Sequence, residues 1–157
     1  MKILLPIILL LLVGFLLYRS INTTKTAELN IKAGEKFLSG NATKEGVITT
    51  PTGLQYQVLE KGTGDKHPTS TSTVRVHYKG TLLDGTEFDS SYKRGEPIEF
   101  QLNQVVKGWQ EGLQYMVTGE KVRLFIPYQL GYGKSGSGPI PAGATLIFEV
   151  ELLDIVK

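Results

Sequence analysis

From Ile3 to Tyr18 the chain carries no charged side chain; Ile, Leu, Val, Phe and Tyr follow one another, broken only by Pro6 and Gly14. A stretch without a polar face cannot form one side of an amphipathic core helix. The run therefore calls for an apolar medium, and the rest of the chain must fold without it. As a helix it would span roughly 24 Å at about 1.5 Å per residue, against a bilayer core of about 30 Å. It also exceeds the apolar core of a signal peptide, about 7–15 residues. Lys2 supplies a positive start. A cut after Ser20 would put Tyr18 at the third position before it, and a cut after Ala27 would put Lys25 there, where a small residue is wanted. We read residues 1–19 as an uncleaved membrane anchor, with a cleaved signal segment as the competing reading.

Residues 20–51 read as a polar, partly helical linker. Within Ala27–Glu45, Leu29, Ala33, Phe37 and Leu38 recur near helical spacing, Gly46 is a stop, and Thr49-Thr50-Pro51-Thr52-Gly53 breaks any helix.

Residues 52–157 read as one domain. Leu54–Glu60 alternates like a strand, and Val74, Val76 and Tyr78 alternate with Arg75, His77 and Lys79. Asp84-Gly85 is a hairpin turn ahead of a strand over Thr86–Asp89. Ile98–Leu102 is a short strand. Trp109, Leu113 and Met116 fall on one face of a helix over Val106–Met116, the only helix expected in this domain. Val122, Leu124 and Ile126 alternate, Tyr128–Gly143 is Gly-, Ser- and Pro-rich loop, and Thr145–Val156 is the longest strand. Several strands, short connections and one helix predict an α+β domain with a mostly antiparallel sheet.

Conventional catalytic clusters are missing from this pattern. Without cysteine there is no thiolate nucleophile, disulfide or thiolate metal site, and two histidines, His67 and His77, make no metal cluster. His77 shares a strand with Arg75 and Lys79, which predicts a solvated ring. Gly136-Ser137-Gly138 lacks the spacing of a nucleophile elbow, and the Gly131–Gly138 loop lacks the Lys and helix of a phosphate-binding loop. No cofactor motif is present. The net charge of +2 comes from scattered residues and offers no nucleic-acid surface. What stands out is the placement of Tyr78, Phe88, Phe100, Trp109, Tyr132 and Phe148 beside turns, a helix start or a loop edge. Such aromatics serve equally well as ordinary core or as the lining of a ligand pocket.

Five linked stretches carry a resemblance. Val74-Arg75-Val76-His77-Tyr78-Lys79-Gly80 and Asp84-Gly85-Thr86-Glu87-Phe88-Asp89-Ser90-Ser91 resemble the first half of an FKBP domain. Val105-Val106-Lys107-Gly108-Trp109-Gln110-Glu111-Gly112 resembles its helix entrance. Gly131-Tyr132-Gly133 with Ile140-Pro141, and then Ala144-Thr145-Leu146-Ile147-Phe148, resemble its closing loop and last strand. The resemblance runs in order from about Leu54 to Lys157. It implies an FKBP-like twisted antiparallel β-sheet wrapped around one short helix, preceded here by the hydrophobic helix and the linker. It also implies a pocket floored by Trp109 and walled by Tyr78, Phe88, Phe100, Val105, Val106, Ile140 and Phe148. The Val106 N–H and the Tyr132 hydroxyl would donate to carbonyls of a bound peptide, and Asp89 would stand at the rim near Tyr78 and Arg94. Tyr78, Asp89 and Tyr132 are the expected catalytic residues. Ile98 and Leu130 depart from the aromatic and the tyrosine common there, and the Gly133–Pro141 loop is one residue shorter; these departures bear on sequence preference and macrolide affinity.

The activity so implied is peptidyl-prolyl cis-trans isomerisation in folding proteins, with proline-containing polypeptides as substrates, macrolide inhibitors as further ligands and no cofactor. An X-Pro bond rotates over a barrier of about 18–20 kcal/mol by losing amide resonance, and no bond to hydrogen breaks. An apolar cup without an acid–base pair suits that chemistry. The competing readings are a peptide-binding module or holdase chaperone with little catalysis, and a membrane-anchored structural subunit. The charged start before the apolar run, and the resemblance to exported bacterial FKBPs, predict an inner-membrane protein with its domain facing the periplasm. A soluble periplasmic protein follows if the segment is cleaved. Arg19, Lys25, Lys32 and Lys36 pull the other way, towards the cytoplasm. Leu29–Gly46 resembles the end of the connecting helix through which some bacterial FKBPs dimerise; with so little of that region left, a monomer is expected in solution once the apolar segment is removed.

Overall fold

The computed structural model describes residues 4–157. The expectations for Met1–Ile3 therefore lie outside the described residues. A single helix, α1 (Leu4–Asn41), takes in both the apolar run and most of the expected linker. Seven strands follow: β1 (Val47–Thr49), β2 (Gln55–Glu60), β3 (Thr73–Thr81), β4 (Glu87–Ser90), β5 (Ile98–Gln101), β6 (Lys121–Ile126) and β7 (Leu146–Ile155). Between them lie the one-turn helix α2 (Ser91–Arg94) and α3 (Lys107–Gln114). All pairings are antiparallel, in the order β1-β2-β6-β7-β3-β4, with β5 also paired to β3.

Most elements fall within a residue or two of the sequence pattern. Four do not. The strand β1 lies in the expected linker, and α2 adds a second helix to the domain. Leu102–Gln104 forms a 3-10 turn ahead of α3, and Tyr128–Leu130 forms another inside the expected loop. The α2 turn is set by local chemistry: the Ser90 hydroxyl accepts from the Lys93 N–H, and Gly95, at φ 76°, closes the far end.

Strand alternation builds the core. On β3, Val74, Val76 and Tyr78 point inward, and on β7 Leu146, Phe148, Val150 and Leu152 do the same. Helix α3 lies across this inner face, burying Trp109 and Leu113. It approaches closely because two of its residues lack a side chain. A Cβ on Gly108 would stand 2.6 Å from the Ile126 side chain, and one on Gly112 would stand 2.8 Å from Leu124. That close seat presses the Trp109 ring against the strands.

The outer face is polar. Glu149 on β7 sits between Arg123 on β6 (2.6 Å) and Lys79 on β3 (3.9 Å), and Arg75 pairs with Glu99 at 2.7 Å. Helix α1 docks on this face through Ala27, Asn30, Ile31, Gly34, Phe37, Leu38 and Asn41, a set recurring at helical spacing. The Asn30 amide donates to Ala142 O at 2.8 Å, and Asn41 donates to Gln55 Oε1 at 2.9 Å. The Phe37 ring lies 5.9 Å from Phe125, which accounts for an outward-facing Phe being only 4 % exposed. Of the four residues whose helical spacing marked this segment, Phe37 and Leu38 join the docking face, whereas Ala33 is exposed and Leu29 is 61 % exposed. From Ile7 to Tyr18 the large apolar side chains of α1 are all bare. Among the described residues α1 alone is long and apolar enough to cross a membrane.

Candidate functional site

The inner face opens on one side into a cavity of about 930 Å³. Its floor follows from the α3 seat. Trp109, 4 % exposed, is met edge-to-face by Tyr78 (5.1 Å, 87°), Phe100 (5.5 Å, 84°) and Phe148 (5.3 Å, 84°), and Phe88 meets Phe148 in the same way (5.4 Å, 86°). Aromatic rings prefer such T-shaped contacts because the positive edge of one faces the negative face of the other. Three elements distant in sequence, β3, β5 and β7, each supply one ring around Trp109 of α3, so the box exists only in the folded chain. The indole N–H has no hydrogen-bond partner among the described residues.

One edge of the cavity is a charged knot. The Tyr78 hydroxyl donates to Asp89 Oδ2 and accepts from Arg94 Nη2 at 2.9 Å, while Arg94 Nη1 reaches Asp89 Oδ1 at 2.5 Å. Burial alone would raise the Asp89 carboxyl, but hydrogen bonds from Tyr78 and Arg94 and the guanidinium charge outweigh it and hold the carboxyl below its ordinary value. Burial, with the bond to Asp89, pushes the Tyr78 phenol up. Hydrogen bonds to Asp89 and Tyr78 raise the Arg94 guanidinium as well. At neutral pH the knot is thus a carboxylate, a phenol and a guanidinium, all locked to one another. It shapes and polarises the rim without having a proton to exchange.

Behind Tyr78 a second polar cluster fixes the backbone. Ser91, fully buried, accepts from the Tyr78 N–H at 2.7 Å, donates to Tyr78 O at 3.2 Å and lies 2.8 Å from His77 Nδ1. His77 is stacked on Tyr92 at 4.5 Å, so the solvated ring expected from the sequence is instead half-buried and partnered. Nothing in the residue pattern marks Ser91, because its role depends on the turn that α2 makes next to β3.

At the start of α3 no side chain caps the helix, and the Val106 N–H has no acceptor among the described residues. Val105 and Val106 line the cavity beside this donor. Across the mouth stands Tyr132, 40 % exposed, and the Ser137–Ile140 turn brings in Ile140. The structure brings all eleven residues named from the sequence to this one cavity: Tyr78, Phe88, Asp89, Arg94, Phe100, Val105, Val106, Trp109, Tyr132, Ile140 and Phe148. It adds Ile98 and a polar lip of Glu99, Gln101 and Gln104. Alternation along β5 points to Ile98 and Phe100 but hides Glu99 and Gln101, which join only because β5 runs along the mouth.

Comparison with known proteins matches this geometry to a described family. Residues 64–153 match the family model of the FKBP-type peptidyl-prolyl cis-trans isomerase, and residues 18–58 match that of the domain amino terminal to it. The chain is 57% identical over 133 residues to the FKBP-type peptidyl-prolyl cis-trans isomerase FkpA of Aeromonas hydrophila, covering 85% of this chain and 49% of that protein. It is 46% identical over 140 residues to the outer membrane protein MIP of Legionella longbeachae, covering 88% and 60%. The crystal structure of FkpA from Escherichia coli superposes with a TM-score of 0.84 at 48% identity, covering 87% of this chain and 63% of that one. The chain thus spans from about half to three-fifths of the length of these curated relatives.

Proposed function

The chain belongs to the FKBP-type peptidyl-prolyl cis-trans isomerase family, and from that premise we propose that its aromatic cavity binds proline and accelerates rotation of the preceding peptide bond. The observation that carries this reading is the box of rings around Trp109. Its flat apolar floor suits a pyrrolidine ring. The Val106 N–H and the Tyr132 hydroxyl, both at the mouth, are the donors for peptide carbonyls on either side of the proline. The knot of Tyr78, Asp89 and Arg94 holds the Tyr78 wall in place and presents a polar edge to the reacting amide.

The chemistry needs no more than this. A planar amide is more charge-separated than a twisted one, so a dry cup favours the twisted form and lowers the barrier. Each lowering of about 1.4 kcal/mol gives tenfold in rate. Proton transfer has no part in it, in keeping with a knot whose protons are held.

The apolar stretch of α1 supports a membrane-anchored protein, and the charged start at Lys2 ahead of it supports a domain facing the periplasm of a bacterium. Spheroplast protease accessibility and the mass of the mature protein test this, and a leader cleaved near Asn22 or Glu28 would make the protein soluble instead. The docking face of α1 from Ala27 to Asn41 is occupied by its own sheet, which supports a monomer. Light scattering of the detergent-solubilised chain checks that state.

The catalytic reading is tested by a protease-coupled proline-isomerisation assay on the full chain in detergent. Acceleration of cis-to-trans exchange, unaffected by chelators, is the expected result. Saturable binding of proline peptides without acceleration would leave a peptide-binding module in its place.

A further inference from the structure

A second cavity, of about 530 Å³, lies where the apolar end of α1 meets the loop after Tyr132. Leu16, Arg19 and Ser20 wall it from the helix, and Lys134 and Ser135 wall it from the loop. Neither Arg19 nor Lys134 has an ion-pair partner among the described residues. Glu28 is the one carboxylate in the lining, so two cations face one anion. Thr23 and Thr24 also line the space, but their hydroxyl protons are taken by Arg19 O and Ser20 O. The donors left for a guest are the guanidinium, the ammonium and the two serine hydroxyls. That set fits a group carrying negative charge and several acceptor oxygens, and Leu16 offers an apolar wall beside it.

We propose that this cleft holds the phosphodiester headgroup of an anionic phospholipid and so clamps the rim loop of the proline pocket to the bilayer surface. The proposal rests on the reading that the apolar start of α1 lies in the membrane.

Position argues for a lipid over a free anion. Arg19 follows Tyr18, where the bare apolar surface gives way to polar residues. Tyr and Arg are the side chains that settle at the membrane–water boundary. The uncharged run from Ile3 to Tyr18 would be only about 24 Å long as a helix, short of a core of about 30 Å. A short span thins the bilayer or draws its flanking residues inward, which brings Arg19 and Ser20 to headgroup level. A headgroup in the cleft would leave its acyl chains beside Leu16 and the bare helix; free phosphate has nothing to place there.

The helix also gives the domain no slack. Ala27, about 14 Å beyond Tyr18 along the axis, is buried against the loop, and a Cβ on Gly143 would stand 2.6 Å from Ala27 O. The Gly143 N–H returns to Gly133 O at 2.9 Å, closing the loop that carries Lys134 and Ser135. Two residues later the same loop supplies Ser137 and Gly138 to the aromatic cavity. A lipid held at Lys134 is therefore only a few residues from the substrate rim.

The chain contains no cysteine, so Ser137→Cys, exposed on the same loop but outside the cleft, gives one attachment point for a fluorophore, and Thr43→Cys, beyond the far end of α1, gives a distal control. The full chain is reconstituted into phosphatidylcholine vesicles, with or without phosphatidylglycerol, that carry a headgroup quencher. The expected result is severalfold stronger quenching at position 137 than at 43. The excess should grow with phosphatidylglycerol and fall to the phosphatidylcholine level when Arg19→Gln and Lys134→Gln are combined. Protein that floats with the vesicles but shows no such excess, or an excess indifferent to phosphatidylglycerol or to the double substitution, overturns the headgroup site and leaves the anchor standing. Suppression of the excess by inorganic phosphate reassigns the cleft to free anions and likewise overturns it. Protein that does not float with vesicles at all sinks the anchor reading, and this proposal with it.

Discussion

Along β3, Val74, Val76 and Tyr78 turn to the inner face and are at most 4 % exposed, while Arg75, His77 and Lys79 turn outward into ion pairs and stacking. The same alternation on β6 and β7 gives the sheet one face of hydrocarbon and rings and one face of paired charges. Each face then receives a helix. On the inside, α3 fits by burying Trp109 among rings from β3, β5 and β7. On the outside, α1 fits by small residues, two asparagine side chains and a single ring pair. Burial of apolar area is worth about 25 cal/mol per Å², whereas each polar tie contributes about 1 kcal/mol net. The inner seat is thus inseparable from folding, while the outer seat is an attachment that can fail with the domain intact.

The largest effect should come from Trp109→Ala. Truncating a fully packed aromatic typically costs about 3–5 kcal/mol, and here it also removes the pocket floor. Urea unfolding should show that loss, and isomerase activity should vanish. A stable but inactive Trp109→Ala protein would mean that the inner face does not depend on its ring box, and the contrast between the faces would collapse.

Next is Gly34→Leu on α1. A Cβ at this position would lie 2.1 Å from Thr145 Oγ1 and 3.2 Å from Thr145 Cβ. Leucine is a good helix former, so the penalty comes from the seat and not from the helix. Overpacking of this kind costs about 1–3 kcal/mol. Tryptic cleavage at Lys32 and Lys36 should speed up as the helix lifts, while activity stays near that of the unaltered chain. Equal loss of activity would show that the outer seat supports the pocket.

Much of this contrast was legible before any coordinates. The inner face reads directly from period-two alternation, and the pocket residues cluster beside turns the sequence marks plainly, such as Asp84-Gly85, where Gly85 takes φ 87°. The outer seat reads out only in part. Hydropathy finds Phe37 and Leu38, which do dock, but it passes over Ala27, Gly34 and Asn41, whose value lies in being small or in reaching one acceptor. Strand β1 was hidden for a similar reason: three residues beside a Thr-Pro-Thr-Gly turn carry too little pattern, and only pairing with β2 makes them a strand. The partners of Ser91 and His77 come from separate elements, which no local window contains.

A smaller effect, confined to the inner face, is expected from Tyr132→Phe. Its ring is 40 % exposed, and the hydroxyl has no partner among the described residues. Removing one hydrogen bond to substrate costs about 0.5–1.5 kcal/mol, so kcat/KM should fall by up to about tenfold with an unchanged melting curve. A melting curve that drops as far as that of Trp109→Ala would make the hydroxyl structural.

The mildest test uses acid, because each face holds a carboxylate below its ordinary value by contact with an arginine. On the inner rim, burial works against ionisation of Asp89, but Tyr78 and Arg94 overcome it. On the outer face, the hydrogen bond from Arg123 lowers Glu149, with burial opposing and Lys79 assisting. A folded-state value below the unfolded one means stability that is fully present above the unfolded carboxylate range, about pH 4. That stability is lost as pH falls through the lower folded value. Both pairs are partly exposed, so solvent screening keeps each contribution small. Asp89→Asn and Glu149→Gln should each flatten part of the acid limb of a stability–pH curve. Only Asp89→Asn should also reduce kcat/KM at neutral pH, because Asp89 lines the aromatic cavity and Glu149 lies on the other face of the sheet. Between about pH 5 and 9 the unaltered protein should show a flat kcat/KM profile, since Asp89 stays ionised and the raised Tyr78 phenol, ordinarily near 10, stays protonated. A bell-shaped profile inside that window would mean that a group at the rim does exchange a proton, and that the inner face does more than exclude water and hold an amide in place.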